Sequence, residues 1–141
     1  MKQLSDNQRC FACGKNNPIG LRVDFTVDSV QRSISAKFTP SDLHQGFEGI
    51  VHGGILSTLL DEAMANLAFS LGSPAVTAEL TVKLKTRAVP GEELLVTGWL
   101  TQESSRLILA AAKIERGPVV VAEATGKLLC IRTEYKVQCT E

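Results

Sequence analysis

One long apolar segment constrains the fold of this chain more than any other feature. Between Gly53 and about Leu71, large apolar residues and alanines recur on most faces of a helix, a wider apolar surface than an ordinary amphipathic helix has. Gly72 and Pro74 end the segment. Such a helix is stable only when other structure covers most of its sides, so the rest of the chain has to supply that cover.

Stretches of alternating apolar and polar residues lie on both sides of this helix, two before it and four after it. Alternation of this kind is typical of half-buried strands. The predicted strands cover 21–27, 34–38, 76–89, 94–103, 107–116 and 119–132. Two strands, one buried helix and four long strands predict an α+β fold, in which an antiparallel β-sheet wraps around one long central α-helix.

The composition limits the class of protein and its partners. The chain has 141 residues, 44% of them apolar, with 15 basic and 15 acidic residues and a formal net charge of zero. This balance is that of one globular domain and favours neither nucleic acid nor a membrane surface as a partner. The start of the chain has no apolar signal region, and no apolar run is long enough to cross a bilayer. We therefore expect a cytoplasmic protein.

The cysteines and the ends of the chain give further expectations. In the cytoplasm, the four cysteines are expected to be reduced (Cys10, Cys13, Cys130 and Cys139). Residues 1–20 are polar and rich in turn signals, and we expect them to form a leader that packs on the sheet. Residues 21–132 would form the main domain, and residues 133–141 a loose tail.

The candidate active site lies on the apolar helix. The turn His52-Gly53-Gly54 opens it, and a helix N-terminus presents free backbone N–H groups to developing negative charge. Asp61 and Glu62 lie in its middle, where a carboxylate is costly unless it has a partner or a function. Both features are typical of an active site.

The spacing of Gly53 and Asp61 determines how such a site can be built. Eight residues along one helix separate them by roughly 12 Å, at about 1.5 Å per residue. One substrate carbonyl cannot contact both groups of the same helix. Two helices packed antiparallel across a two-fold axis would bring Gly53 of one chain near Asp61 of the other. A site that uses both residues must therefore lie at a dimer interface.

The order of elements and the helix motif resemble the hotdog fold, and specifically the acyl-CoA thioesterases of the phenylacetate-pathway type. The resemblance covers roughly residues 17–132 and is sharpest at 46–54, Asp61 and 77–82; the leader at 10–21 is similar to that of many bacterial members. It implies hydrolysis of a small-to-medium acyl- or aryl-CoA thioester to the free acid and CoA. It also implies a homo-oligomer, either a dimer or a dimer of dimers, that needs no cofactor.

The resemblance and the residue chemistry together assign candidate catalytic roles. The N–H of Gly53 or Gly54 would hydrogen-bond the thioester oxygen as it gains charge. Asp61 of the other chain would act as general base for water, or attack directly to give an anhydride. Thr77 resembles the family's serine or threonine that positions the water or the carboxylate. His52 fits a turn-fixing role better than that of a base.

Candidate substrate-binding residues surround this motif. Gln45 suits a side-chain contact to the thioester region. Ser57, one helical turn before Asp61, could hydrogen-bond Asp61 or its own helix backbone. Lys85 and Arg87, which alternate with Lys83, could bind the phosphates of CoA or belong to a solvated sheet face.

Two other functions are compatible with the predicted fold. The same fold serves hydratases or dehydratases and non-catalytic acyl-CoA-binding modules, so fold alone does not exclude them.

Cys10 and Cys13 form a C-x-x-C pair, which is half of a tetrahedral zinc site. The other two cysteines do not form a second close pair. We therefore predict no metal here, and expect Glu62, about 100° from Asp61 on the helix, to be structural or a substitute carboxylate.

Overall fold

One long helix and a six-stranded antiparallel sheet make up the computed structural model, which describes residues 4–131. The helix α1 is Gly53–Ser70, and a short 3₁₀ helix, Asp42–His44, precedes it. The strands are β1 Thr26–Asp28, β2 Ser33–Phe38, β3 Ala75–Leu84, β4 Leu94–Glu103, β5 Leu107–Arg116 and β6 Val119–Cys130. Their order in the sheet is β1-β2-β4-β5-β6-β3.

The core lies between α1 and one face of the sheet. Seven residues of the helix are buried: Leu56, Leu59, Leu60, Ala63, Met64, Leu67 and Ala68. They pack with alternate residues of the strands, including Ile34, Val96, Ile108 and Ile114. The burial of one face of each strand is what its alternating sequence predicts. The predicted sheet and its single central helix are both present.

The strand β3 forms one edge of the sheet and carries a bulge. Among the described strands it pairs with β6 alone, and its register shifts between Thr77 and Glu79, which leaves Ala78 as the extra residue. Because of the bulge, Thr77 faces the helix together with Leu80 and Val82. A regular strand would place Thr77 on the opposite face from Leu80, which is what the simple alternation predicts.

Some strand bounds agree with the predictions. Others differ because backbone N–H groups in the predicted strand bond to a different part of the chain. β4 and β5 have the predicted bounds, whereas the strand predicted over 21–27 is wrong over most of its length. The N–H groups of Leu21 and Val23 instead donate to carbonyls of the leader, at 2.8 and 2.9 Å. β3 ends at Leu84, since the next two N–H groups both bond to the carbonyl of Val121.

The cysteines do not share one oxidation state. Cys10 and Cys13 are free thiols, as expected, but Cys130 is disulfide-bonded, so the prediction of four reduced cysteines is wrong for that residue. Cys139 and the predicted tail at 133–141 lie outside the described residues. Among the helices that the structure describes, none has the length and apolar character needed to cross a membrane.

Candidate active site

The N-terminus of α1 is capped by the side chain of the residue before it. The Nδ1 atom of His52 accepts a hydrogen bond from the N–H of Gly54 at 2.8 Å. Within residues 4–131, the N–H of Gly53 has no hydrogen-bond partner. The N–H left for a ligand is therefore that of Gly53, while Gly54 serves the cap. This geometry supports the turn-fixing role of His52.

A cavity of about 280 Å³ opens beside Gly53. A Cβ atom at Gly53 would lie 2.8 Å from Cδ1 of Leu84, so the absence of a side chain permits this close packing. The walls of the cavity also carry two of the predicted phosphate contacts, Lys85 and Arg87. Lys85 pairs with Glu123 at 3.0 Å, and both side chains are well exposed. Lys83 instead lines a different cavity, beside Trp99.

Asp61 is held by a residue from the edge strand. The hydroxyl of Thr77 donates to Oδ1 of Asp61 at 2.7 Å, and both residues are half-buried. Among the residues that the structure describes, Oδ2 of Asp61 has no hydrogen-bond partner. One carboxylate oxygen is thus fixed, and the other is left for a water or a substrate atom.

Two residues predicted to contact the substrate, Ser57 and Gln45, instead form hydrogen bonds with backbone groups. The hydroxyl of Ser57 donates to the carbonyl of Gly53 at 2.9 Å and does not reach Asp61, so the alternative of a back-bonded helix serine is the one found. Oε1 of Gln45 accepts from the N–H of Gly49 at 2.9 Å. Gln45 lines a separate cavity, with His52 and Gly54, and not the cavity beside Gly53.

A single chain does not bring the two halves of the predicted site together. Gly53 is the first residue of α1, and Asp61 follows more than two turns later on the same helix. Neither Asp61 nor Thr77 lines the cavity beside Gly53. Within one chain, the structure places the unused N–H and the carboxylate at two separate positions.

A second group of reactive side chains lies on another side of the helix. Cys13 Sγ donates to Oε2 of Glu62 at 2.9 Å, and Cys10 Sγ donates to Oε1 at 3.4 Å. Burial raises the pKa of the Cys13 thiol well above its usual range, and the hydrogen bond to Glu62 adds to this. These three residues could hold a metal ion. The C-x-x-C pair was visible in the sequence, but nothing there indicated that Glu62 faces it.

Comparisons with known proteins agree with this fold. A family model described as the thioesterase superfamily matches residues 48–123, more than half of the chain. Human acyl-coenzyme A thioesterase 13 is 27% identical over 105 residues, which are 73% of this chain and 71% of that protein.

Solved structures match a larger share of the chain. The PaaI protein of E. coli, from the phenylacetic acid degradation operon, has a TM-score of 0.72 at 23% identity, over 79% of this chain and 80% of its own. A Streptococcus mutans protein solved bound to acetyl CoA has a TM-score of 0.72 at 20% identity, over 77% of this chain and 88% of its own. The shared helix and antiparallel sheet confirm the fold predicted from the sequence.

Proposed function

This chain belongs to the thioesterase superfamily, and from that premise we propose that it hydrolyses acyl-CoA thioesters to the free acid and CoA. The proposal rests on one observation: two candidate catalytic groups lie at different positions along α1. An unused N–H lies at Gly53, and a carboxylate held by Thr77 lies eight residues later. The relatives named acyl-coenzyme A thioesterase support the choice of a CoA thioester as substrate.

The N–H of Gly53 is suited to bind the carbonyl oxygen of the thioester. It is the free N–H at the positive end of the helix dipole, and both features favour an oxygen that gains negative charge in the transition state. The small volume of Gly53 lets the substrate approach the backbone closely. Gly54 supports this N–H indirectly, since its own hydrogen bond to His52 fixes the turn.

Asp61 is suited to act on the water. Its free oxygen would take a proton from water while the water oxygen bonds to the carbonyl carbon, which gives a tetrahedral intermediate. When that intermediate collapses, the carbon–sulfur bond breaks, and the proton passes to the departing CoA thiolate. Direct attack by Asp61 would give an anhydride that water then hydrolyses. In ¹⁸O-labelled water, the label would enter Asp61 only by the anhydride route, and there only when water attacks the Asp61 carbonyl of the anhydride.

The same geometry supports a site shared between two copies of the chain. One carbonyl would need Gly53 of one chain and Asp61 of the other, since they are roughly 12 Å apart on one helix. Among the described residues no strand pairs with the outer edge of β3, which carries Thr77, so this edge is suited to pair with a second copy. We therefore propose a homodimer, or a dimer of such dimers. We also propose that the protein works in the cytoplasm.

Cationic side chains near Gly53 support the CoA part of the proposal. Lys85 and Arg87 lie in the wall of the cavity at the helix N-terminus, where phosphates of a nucleotide could be paired. Gln45 and Ser57 are engaged with backbone groups, so we assign them to the support of the helix start. The acyl group would be small to medium in size, either alkyl or aryl.

Thiol release from a panel of short, long and aryl acyl-CoA esters tests this function. We expect the native protein to hydrolyse at least one class. Asp61→Asn should lower kcat by about 10²–10⁴-fold, the usual range for loss of a general base. The matched control is Asp24→Asn, because Asp24 is an exposed aspartate that, among the described residues, forms an ion pair with Lys15 alone, at 3.8 Å. This control should retain the native rate.

Three outcomes would contradict the proposal. No hydrolysis of any ester, together with tight CoA binding, would identify a non-catalytic acyl-CoA-binding module. Addition of water to an enoyl-CoA without thiol release would identify a hydratase. An undiminished rate in Asp61→Asn would exclude the role of Asp61 and leave the superfamily membership intact.

A further inference from the structure

The cluster of Cys10, Cys13 and Glu62 lies outside the proposed active site. Glu62 follows Asp61 directly, but it projects about 100° away around the helix. It faces the leader, whereas Asp61 faces Thr77 on β3. None of the steps proposed for thioester hydrolysis uses these thiols or this carboxylate, so they need a separate explanation.

The C-x-x-C turn holds both sulfur atoms toward one carboxylate. The N–H of Gly14 donates to the carbonyl of Cys10 at 2.8 Å, which closes the turn. A Cβ atom at Gly14 would lie 2.6 Å from that same carbonyl oxygen, so only glycine fits directly after Cys13. As a result, each sulfur contacts a different oxygen of Glu62. The turn and the helix thus present three donor atoms to one point.

The charge of this cluster is not balanced by a cation from the described part of the chain. Glu62 is half-buried, and no lysine, arginine or histidine among residues 4–131 forms an ion pair with it. Its remaining contact is the side-chain amide of Asn66, at 3.4 Å. A partly buried carboxylate without a counter-charge is costly, and two adjacent thiols do not supply one. A bound divalent cation would place a positive charge next to the carboxylate, while the net charge of the cluster stays at −1 once both thiols lose their protons.

We propose that Cys10, Cys13 and Glu62 bind one zinc ion. In a tetrahedral zinc site with bonds of about 2.3 Å to sulfur and about 2.0 Å to oxygen, donor atoms lie about 3.5–3.8 Å apart. Here Cys10 Sγ lies 3.4 Å from Oε1 of Glu62 and Cys13 Sγ lies 2.9 Å from Oε2, and one ligand atom from each residue lies within 4.8 Å of the others. Small side-chain movements would therefore complete the site.

The kind of donor selects the metal. Two thiolates exclude magnesium and calcium, which prefer oxygen ligands, and a mixed sulfur and oxygen set suits zinc. Binding would release the two thiol protons, and the three negative ligands would exceed the charge of the ion by one. The fourth position would hold a water from the adjoining cavity of about 650 Å³, which Asn7 and Arg9 also line.

A second layer of hydrogen bonds orients the carboxylate. The amide of Asn66 donates to Oε2 of Glu62, and the hydroxyl of Ser70 donates to Oδ1 of Asn66 at 2.9 Å. Outer contacts of this kind hold metal ligands in position. The zinc ion would join the leader to α1 at the residue next to Asp61, so its effect would be to fix the leader against the helix.

Metal analysis of the full chain tests the proposal. We expect one zinc ion per chain in protein purified without a metal-binding tag. Replacement by cobalt should give a thiolate-to-cobalt charge-transfer absorption. Both signals should be lost in Cys13→Ser, and zinc affinity should fall about 10–100-fold in Asn66→Ala, in which only the outer contact is removed. The control Glu79→Gln, which changes an exposed carboxylate paired with Lys127, should bind zinc as the native chain does.

The proposal is overturned if the native chain, with Cys10 and Cys13 shown by mass spectrometry to be reduced, binds no zinc in a micromolar titration. It is also overturned if Cys13→Ser binds zinc as tightly as the native chain. Far-ultraviolet circular dichroism checks that each variant is folded, and Glu62→Gln, which keeps the size of the side chain, must lose zinc affinity as well.

Discussion

At the scale of single residues, the contact between Thr77 and Asp61 determines what the site can do. The threonine comes from an edge strand and the aspartate from the central helix, and their side chains meet at 2.7 Å. The hydroxyl donates, so it fixes one oxygen of the carboxylate. The carboxylate then presents its other oxygen in one direction, as a general base requires.

Removal of this hydroxyl is expected to slow hydrolysis. A hydrogen bond to a charged group contributes about 1.5–3 kcal/mol, so Thr77→Val should lower kcat/KM by about 10–100-fold. Thr77→Ser keeps the donor and should restore most of the rate. Steady-state kinetics on the best substrate of the acyl-CoA panel measures both. A loss in Thr77→Ser together with an undiminished rate in Thr77→Val would show that the methyl group, and not the hydroxyl, is what matters.

Residues of the site differ in how well the sequence predicts them. Gly53 and Asp61 belong to one local motif, so the sequence indicated both of them and also their separation. The contact of Glu62 with Cys13 joins residues that are 49 positions apart, and no periodicity reports such a contact. Thr77 was identified by resemblance, but its direction depends on the bulge at Ala78, which an alternating pattern does not reveal.

At the scale of elements, the start of α1 depends on one side chain. His52 satisfies the N–H of Gly54, one of the four N–H groups that a helix leaves unpaired at its N-terminus. The side chain is exposed, so it acts here through this bond and not through burial. The cap also fixes the orientation of the free N–H at Gly53.

Replacement of His52 separates the cap from a proton-transfer role. His52→Ala should lower the free energy of unfolding by about 0.5–2 kcal/mol, the usual cost of a lost N-cap. His52→Asn supplies another side-chain acceptor and should restore that stability, as measured by urea denaturation. If His52 were instead the base, the asparagine variant would remain stable but lose about 10²-fold or more in kcat.

The strands show why some elements follow from sequence and others do not. β4 and β5 pair with strands on both sides, and their alternating residues predict their bounds. Leu21 and Val23 also alternate with polar residues, and Val23 is buried. Their backbone N–H groups bond to the leader and not to β2. The periodicity therefore predicted which side chains are buried, but not which part of the chain the backbone groups bond to.

At the scale of the whole molecule, the proposed site requires two chains. A single chain carries both of the proposed catalytic groups but holds them too far apart to act on one carbonyl. A variant that loses the N–H of Gly53 and another that loses Asp61 should therefore complement each other within one dimer.

Substitution by proline at Gly53 can remove the N–H without breaking the helix. Proline is well tolerated at the first residue of a helix, and His52 already has the extended backbone that a residue before proline prefers. Gly53→Pro removes the N–H. Gly53→Ala is the matched control, because it keeps the N–H and brings a Cβ atom to the same place beside Leu84.

The hydrolysis rate of mixed dimers is the sharpest test of a site shared between two chains. Gly53→Pro and Asp61→Asn chains with different tags are co-expressed, and thiol release is measured for each variant alone and for the mixture. Each variant alone should be inactive. In a mixed dimer one site has both native groups, so a random mixture should recover about a quarter of the native rate. A mixed dimer that forms but recovers no activity, or an active monomer of the native chain, would contradict the shared site.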